Sequence, residues 1–322
     1  MNLLKKVITA ILLVVFVIGL ILLAGQAYAQ DPAKEDYQKK LEEYEREKAR
    51  IEAENKKKEQ LADELKMKSA AKKAYNEGRA YLLKGMAEEA LNSYNLAIQY
   101  DNNFAQAYHG KGVALSNLRR YDEALAAYHK AVTIDPLYSD AYLALAKLYR
   151  KMDKYDEALT ACLKAIETDS SSDGAYYELG FVYNQRKDFQ KAAASFEKVI
   201  KLDPKNYKAY NAQGVALEKI GKNEEAIQAF QKSVEVKPNY EEGYYRLAAT
   251  YNKIGSYDKA LEAALNALKY KKNYASAAFE AGVAYKNLGQ NANAIEYFEM
   301  AAKDRLWTQS AQYEIDMIKK KM

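Results

Sequence analysis

The hydrophobic and polar positions divide this chain into three stretches of different character. Residues 7–25 carry no charge at all. Residues 31–70 are densely charged, with a sparse apolar seam at Leu41, Tyr44, Ile51, Ala62 and Leu65. From residue 71 onward helical patterns come in pairs, each pair flanking a short turn, and the whole arrangement returns every 34 residues.

The period is read from independent residue types. Pro204 and Pro238 are one step apart, and Pro136 and Pro204 two steps. Gly78, Gly112, Gly180, Gly214 and Gly282 keep the same step, with Ala146 and Ala248 filling the two gaps. Ala90, Ala124, Ala158, Ala192, Ala226, Ala260 and Ala294 run without exception. Larger residues recur as Tyr94, Tyr128, Cys162, Phe196, Phe230, Ala264 and Phe298, and as Tyr81, Leu115, Tyr149, Tyr183, Leu217, Tyr251 and Tyr285. Seven blocks follow without insertion or deletion: 71–104, 105–138, 139–172, 173–206, 207–240, 241–274 and 275–308.

Each series has a physical reason. The eighth and twentieth places are small, which predicts that they meet where the two helices of a block touch. The eleventh and twenty-fourth places are large and fill the space towards the next block. Gly85, Gly221, Gly255 and Gly289 share the fifteenth place, where the first helix must stop and glycine accepts a left-handed cap. The prolines stand at the thirty-second place, after the second helix. Cys162 is expected to be a small core residue, and its block is the weakest, since Ser170 stands where proline is usual.

These small, aromatic, alanine and proline places resemble the tetratricopeptide repeat, over 238 of the 322 residues. The resemblance implies an all-α, right-handed superhelical solenoid of seven helix-turn-helix repeats. Residues 309–322 then form a C-terminal capping helix, with Trp307, Ala311, Ile315, Ile318 and Met322 on its apolar face. It also implies a general adaptor, with the first helix of each block lining a concave surface at the second, fifth, ninth, twelfth and thirteenth places. On that surface the candidate partner-binding residues are Tyr75, His109, Asn117, Leu143, Tyr177, Phe181, Asn184, Tyr245, Asn252, Phe279, Val283 and Asn287. Aromatics there would anchor apolar side chains, and amides would pair with a ligand backbone. Tyr177 with Phe181, and Phe279 with Val283, are the favoured contact pairs. Repeat domains that capture a chaperone's C-terminal carboxylate carry asparagine at the ninth place of their first block. No block here does, so that clamp is not expected.

The N-terminus reads as an export signal. Lys5 and Lys6 precede the uncharged stretch, and Ala27-Tyr28-Ala29 offers a small-x-small site for cleavage between Ala29 and Gln30. Retained instead, residues 7–25 would tether the chain in the inner membrane. Either outcome places the remainder in the periplasm, and no cysteine stands near for lipid attachment. Residues 30–70 follow as a charged helical spacer or a weak coiled coil, with 12 acidic and 11 basic residues between 31 and 70. Glu42 with Arg46, Glu52 with Lys56 and Glu54 with Lys58 are favourable pairs four apart. Lys48, Asn55 and Lys58 interrupt the apolar seam. As a coiled coil, this segment would make the protein a homo-oligomer.

Composition adds mainly exclusions. The net charge of +5 is spread among 49 basic and 44 acidic residues, unlike the one-sided basic face of a nucleic-acid binder. The lone Cys162 makes no intramolecular disulfide. His109 and His129 are on different helices of one block, and no cluster has metal-ligand spacing. The glycines belong to the repeat rather than to a phosphate loop, and no carboxylate has an evident reason to be buried. No cofactor, metal or catalytic residue is therefore expected. The expected function is a non-catalytic protein–protein scaffold of the cell envelope, binding a peptide or protein segment in its groove. The alternatives are a glycan or murein-fragment receptor, or a self-associating structural envelope protein.

Overall fold

A computed structural model describes residues 14–17 and 32–321, and every regular element among them is a helix. The signal or anchor assigned to residues 1–29, with its cleavage point, lies outside the described residues apart from 14–17. Among the described residues no helix is long and apolar enough to cross a membrane. The chain divides into two compact units, Met1–Ala70 and Ala71–Met322.

In the first unit the described chain beyond residues 14–17 belongs to helix α1 (Pro32–Leu83). Its side chains from residue 36 to 70 are largely exposed, including Leu41, Ile51, Leu61 and Leu65. Ion pairs one turn apart support it: Lys40–Asp36, Lys58–Glu54 and Lys68–Glu64 close at 2.6–2.7 Å, and Arg46–Glu42 at 3.8 Å. Exposed pairs of this kind each add little stability, because water screens them. Of the three pairs predicted from spacing, Glu52–Lys56 does not form.

The second unit is the repeat array. Residues 71–83 of α1 and helix α2 (Ala87–Tyr100) make the first block. Then come α3 (Ala105–Asn117) and α4 (Tyr121–Ile134), α5 (Ser139–Lys151) and α6 (Tyr155–Thr168), and α7 (Asp173–Gln185) and α8 (Phe189–Leu202). The last three pairs are α9 (Tyr207–Lys219) and α10 (Asn223–Val236), α11 (Glu241–Lys253) and α12 (Tyr257–Tyr270), and α13 (Ala275–Asn287) and α14 (Asn291–Ala301). Helix α15 (Thr308–Lys319) closes the array.

Each first helix ends in the same way. The amide of the sixteenth place donates back to the eleventh-place carbonyl, as in Met86→Tyr81 at 2.9 Å and Gln290→Tyr285 at 2.9 Å. This turn needs a left-handed residue at the fifteenth place. Gly85, Gly221, Gly255 and Gly289 supply it with φ of 75–80°, and Arg119, Asp153 and Lys187 adopt it at 59–61° without being glycine.

The structure corrects the expected role of the small eighth place. Its nearest neighbour is the ring at the twenty-fourth place of its own block, not the alanine at the twentieth. A Cβ at Gly112 would lie 2.4 Å from Tyr128, and one at Gly214 2.5 Å from Phe230. The two alanines of the series confirm the pairing. Ala146 shares its block with Cys162 and Ala248 with Ala264, so where the eighth place gains a methyl the twenty-fourth loses its ring. All four of these residues are completely buried. Burial pushes the Cys162 thiol up to about 12, so it stays a neutral core group.

Helix α15 keeps the register of a first helix, one period after α13. Ala311, Ile315 and Ile318 stand 34 residues after Ala277, Ala281 and Ala284, and all three are buried. At the eighth and eleventh places, which elsewhere pack on a second helix, it carries the exposed Asp316 and Lys319. One face packs on the last block and the other is exposed. Trp307 packs on Phe279 with ring centroids 4.6 Å apart, while Met322 is outside the described residues.

Candidate functional site

The fifth-place residues of the first helices, expected on the concave surface, are all half-buried. Five of the seven, all but Leu143 and Asn211, lean on rings of their own block. Tyr75 packs between Tyr94 and Phe104 at 5.8 and 5.1 Å, and His109 between Tyr128 and Tyr138 at 5.6 and 5.3 Å. Tyr177 meets Phe181 and Phe196 edge-on at 4.9 and 5.7 Å, and Tyr245 lies 5.6 Å from Tyr274. Phe279 is held by Phe298 and Trp307, with Val283 in the same C-terminal core cluster. Edge-to-face rings of this sort steady one another and leave only part of each face to a ligand.

The amides divide. Asn117 is exposed. Asn287 is exposed but donates to the Val283 carbonyl of its own helix at 2.8 Å. Asn252 spends its Nδ2 on the backbone and carboxylate oxygens of Glu280, at 2.9 and 2.8 Å. The Oδ1 atoms of Asn184 and Asn252 are buried without a protein partner, so both retain an acceptor.

Only three of the twelve residues converge on one cavity. His109, Asn117 and Leu143 line a pocket of about 400 Å³ between α3 and α5, together with Val113, Ala144, Leu148, Lys147 and Lys151. Burial lowers the His109 pKa against the opposing pull of Asp140, so the ring is neutral at neutral pH. Its Nδ1 lies 3.3 Å from the Tyr138 hydroxyl. The remaining candidates are spaced along the groove rather than gathered. His129 is exposed on a second helix, 2.7 Å from the Tyr149 hydroxyl.

Sequence reasoning missed a row of charges. The twelfth place of one block meets the sixth place of the next, 28 residues on. Arg150 holds Glu178 at 2.6 Å, Asn252 holds Glu280, and Lys286 holds Glu314 at 2.6 Å. Contrary to expectation, carboxylates are buried here: Glu178 is 6% exposed. Burial raises the Glu280 pKa, the charge of Glu218 adds to the rise, and the Asn252 hydrogen bond opposes it. Glu242 pairs with Arg246 at 2.9 Å and accepts from the Tyr274 hydroxyl. The opposite charges at Arg150 and Glu178, Glu218 and Arg246, and Lys286 and Glu314 were readable once the 34-residue register was set. Among the described residues no group of His, Cys, Asp or Glu could hold a metal ion.

A helical-repeat solenoid with a lined inner face is the class that this geometry defines. Tetratricopeptide-repeat models match residues 78–118, 118–179, 177–241, 229–262 and 275–303, and the chain belongs to the tetratricopeptide repeat family. Proteins of this family are protein-interaction scaffolds and are generally non-catalytic. Among solved structures it is similar to YrrB, described as a TPR protein with an unusual peptide-binding site. The TM-score is 0.51 at 26% identity, over 59% of this chain and 99% of that one. Pseudomonas aeruginosa pilF (TM-score 0.56, 20% identity, 66% of this chain and 98% of that one) shares the fold. So does a tetratricopeptide repeat protein from Parabacteroides merdae (0.55, 16%, 78% and 99%). No curated protein sequence matches.

Proposed function

We propose that this protein is a non-catalytic scaffold of the cell envelope that binds a peptide or protein segment along its concave groove. The observation that carries this is the inner face itself. Half-buried rings recur in register along it, and an open pocket interrupts them between α3 and α5. The peptide-binding site named for YrrB supports the same use of the fold. Rings already packed on one another, tilted or edge to face, favour a segment laid across them over a sugar stacked flat on one of them. The basic start, uncharged stretch and Ala27-Tyr28-Ala29 support export to the periplasm, with residues 7–25 as an inner-membrane tether if uncleaved. Residues 31–70 then serve as a spacer, or as a self-association helix through their exposed seam.

The test is crosslinking in intact cells with a C-terminally tagged chain, after fractionation into periplasm, membrane and cytoplasm. A Phe181→Ala, Tyr245→Ala variant runs beside it, with helicity checked by circular dichroism. The envelope fractions should hold the protein, and its crosslinked partner should be lost in the variant. A cytoplasmic chain refutes the envelope role, and a partner retained equally refutes the groove.

A further inference from the structure

The pocket between α3 and α5 has an uneven chemistry that narrows what it takes. Its floor is aliphatic, built from Val113, Leu143, Ala144 and Leu148. One edge carries Lys147 and Lys151, both exposed and one turn apart on α5. Among the described residues neither forms an ion pair, and the only ring contact of Lys151 is with Tyr121, 4.8 Å away. Four cations elsewhere on the first helices are engaged: Arg150 by Glu178, Arg246 by Glu242, Lys253 by Glu218 and Lys286 by Glu314. The pocket therefore combines an unfilled apolar floor with two lysines free of ion pairs at one end, while Asp140, the one carboxylate in its lining, stands two turns before Lys147 and acts on His109. Asn117, exposed at the end of α3, adds an amide.

Resting on the groove reading above, we infer that this pocket is a specificity subsite for an acidic-aliphatic segment of a partner protein. An aliphatic side chain enters the floor, and side-chain carboxylates flanking it in sequence meet Lys147 and Lys151. Burying the aliphatic group supplies affinity, while the lysines select against basic neighbours by charge complementarity. The floor gives a neutral segment the same apolar contact without the selection. Binding is accordingly weakened by salt, because both lysines are solvent-exposed.

The test pans a displayed random-peptide library on the full chain and measures the enriched sequences as acetylated, amidated peptides by fluorescence anisotropy. Blocking both termini removes any contribution from a terminal carboxylate. The enriched peptides should place Leu, Ile or Val within a few residues of Asp or Glu. Replacing their acidic residues by Gln should weaken binding. Charge reversal in Lys147→Glu, Lys151→Glu should cost about ten-fold, in line with two exposed charge contacts turned repulsive. Peptides carrying Lys in place of Glu should bind the reversed variant better than the parent. Both substituted positions are exposed, so helicity should not change. Peptides without the acidic-aliphatic pairing, or indifferent to the reversal yet weakened by Phe181→Ala, overturn this subsite and leave the groove reading standing. No enrichment, or binding indifferent to both variants, overturns both.

Discussion

The pairing of the eighth and twenty-fourth places makes a test whose sign depends on the background. In Gly214→Ala the new methyl would sit 2.5 Å from Cε1 and 2.8 Å from Cδ1 of Phe230, a ring that is fully buried and has nowhere to go. Overpacking of this kind costs about 1–3 kcal/mol. Against it stands the gain of about 1 kcal/mol from replacing glycine by alanine inside a helix. The substitution is therefore destabilising by up to about 2 kcal/mol. Phe230→Cys alone leaves a cavity and costs about 3 kcal/mol. In that background Gly214→Ala meets no ring, keeps its helical gain and fills part of the void, so it should stabilise. The double variant recreates in block five what Ala146 with Cys162 does in block three. Urea unfolding of the four proteins by far-ultraviolet circular dichroism measures the cycle. Amide exchange in α9 and α10 localises it, since a repeat array opens block by block. Equal effects of Gly214→Ala in the two backgrounds, within about 0.5 kcal/mol, would refute the packing argument.

Other consequences are simpler. Arg119 and Lys187 hold left-handed backbone at φ of 60 and 61°, so Arg119→Gly and Lys187→Gly should each raise stability by about 0.5–1 kcal/mol, read as a higher Tm. Asp153→Gly should gain less, because aspartate tolerates this conformation and its carboxylate accepts from the Tyr155 hydroxyl at 2.6 Å. Glu280→Gln keeps an acceptor for Asn252 and removes a carboxylate whose pKa burial has raised. A raised carboxylate costs the fold nothing while protonated in both states, and stability falls as pH climbs from the ordinary carboxylate range through the folded-state pKa. The variant should therefore melt higher than the parent at neutral pH and the two should converge in acid; a gap that persists in acid would sink the assignment. Asp316→Gly with Lys319→Tyr gives α15 an eighth-block face, and sedimentation should then show more self-association than in the parent chain.

The fold was legible because a solenoid repeats its core: a residue type returning seven times at one spacing reports one packing environment, whatever any single block does. The same logic could have been carried further. Arg119, Asp153 and Lys187 occupy the place where four other blocks have glycine, so the shared left-handed turn was implied even where the residue was wrong for it. Cys162 and Ala264 looked like defects in an aromatic series, yet their blocks are the two with alanine at the eighth place, and the coincidence encodes the contact. The groove was harder to read because its residues answer to contacts from beyond their own helix. Register puts Tyr75, His109 and Tyr245 on the inner face, but the rings of Phe104, Tyr138 and Tyr274 at the end of each block decide how much of them a ligand can reach. Charges behave likewise: Glu178 is buried only because Arg150, in the preceding block, stands to meet it. Lys147 and Lys151, at the ninth and thirteenth places, form no ion pair, while the carboxylate at the sixth place of the next block meets Arg150. A periodic core thus specifies the scaffold, and the departures from periodicity at the junctions between blocks specify what the scaffold can hold.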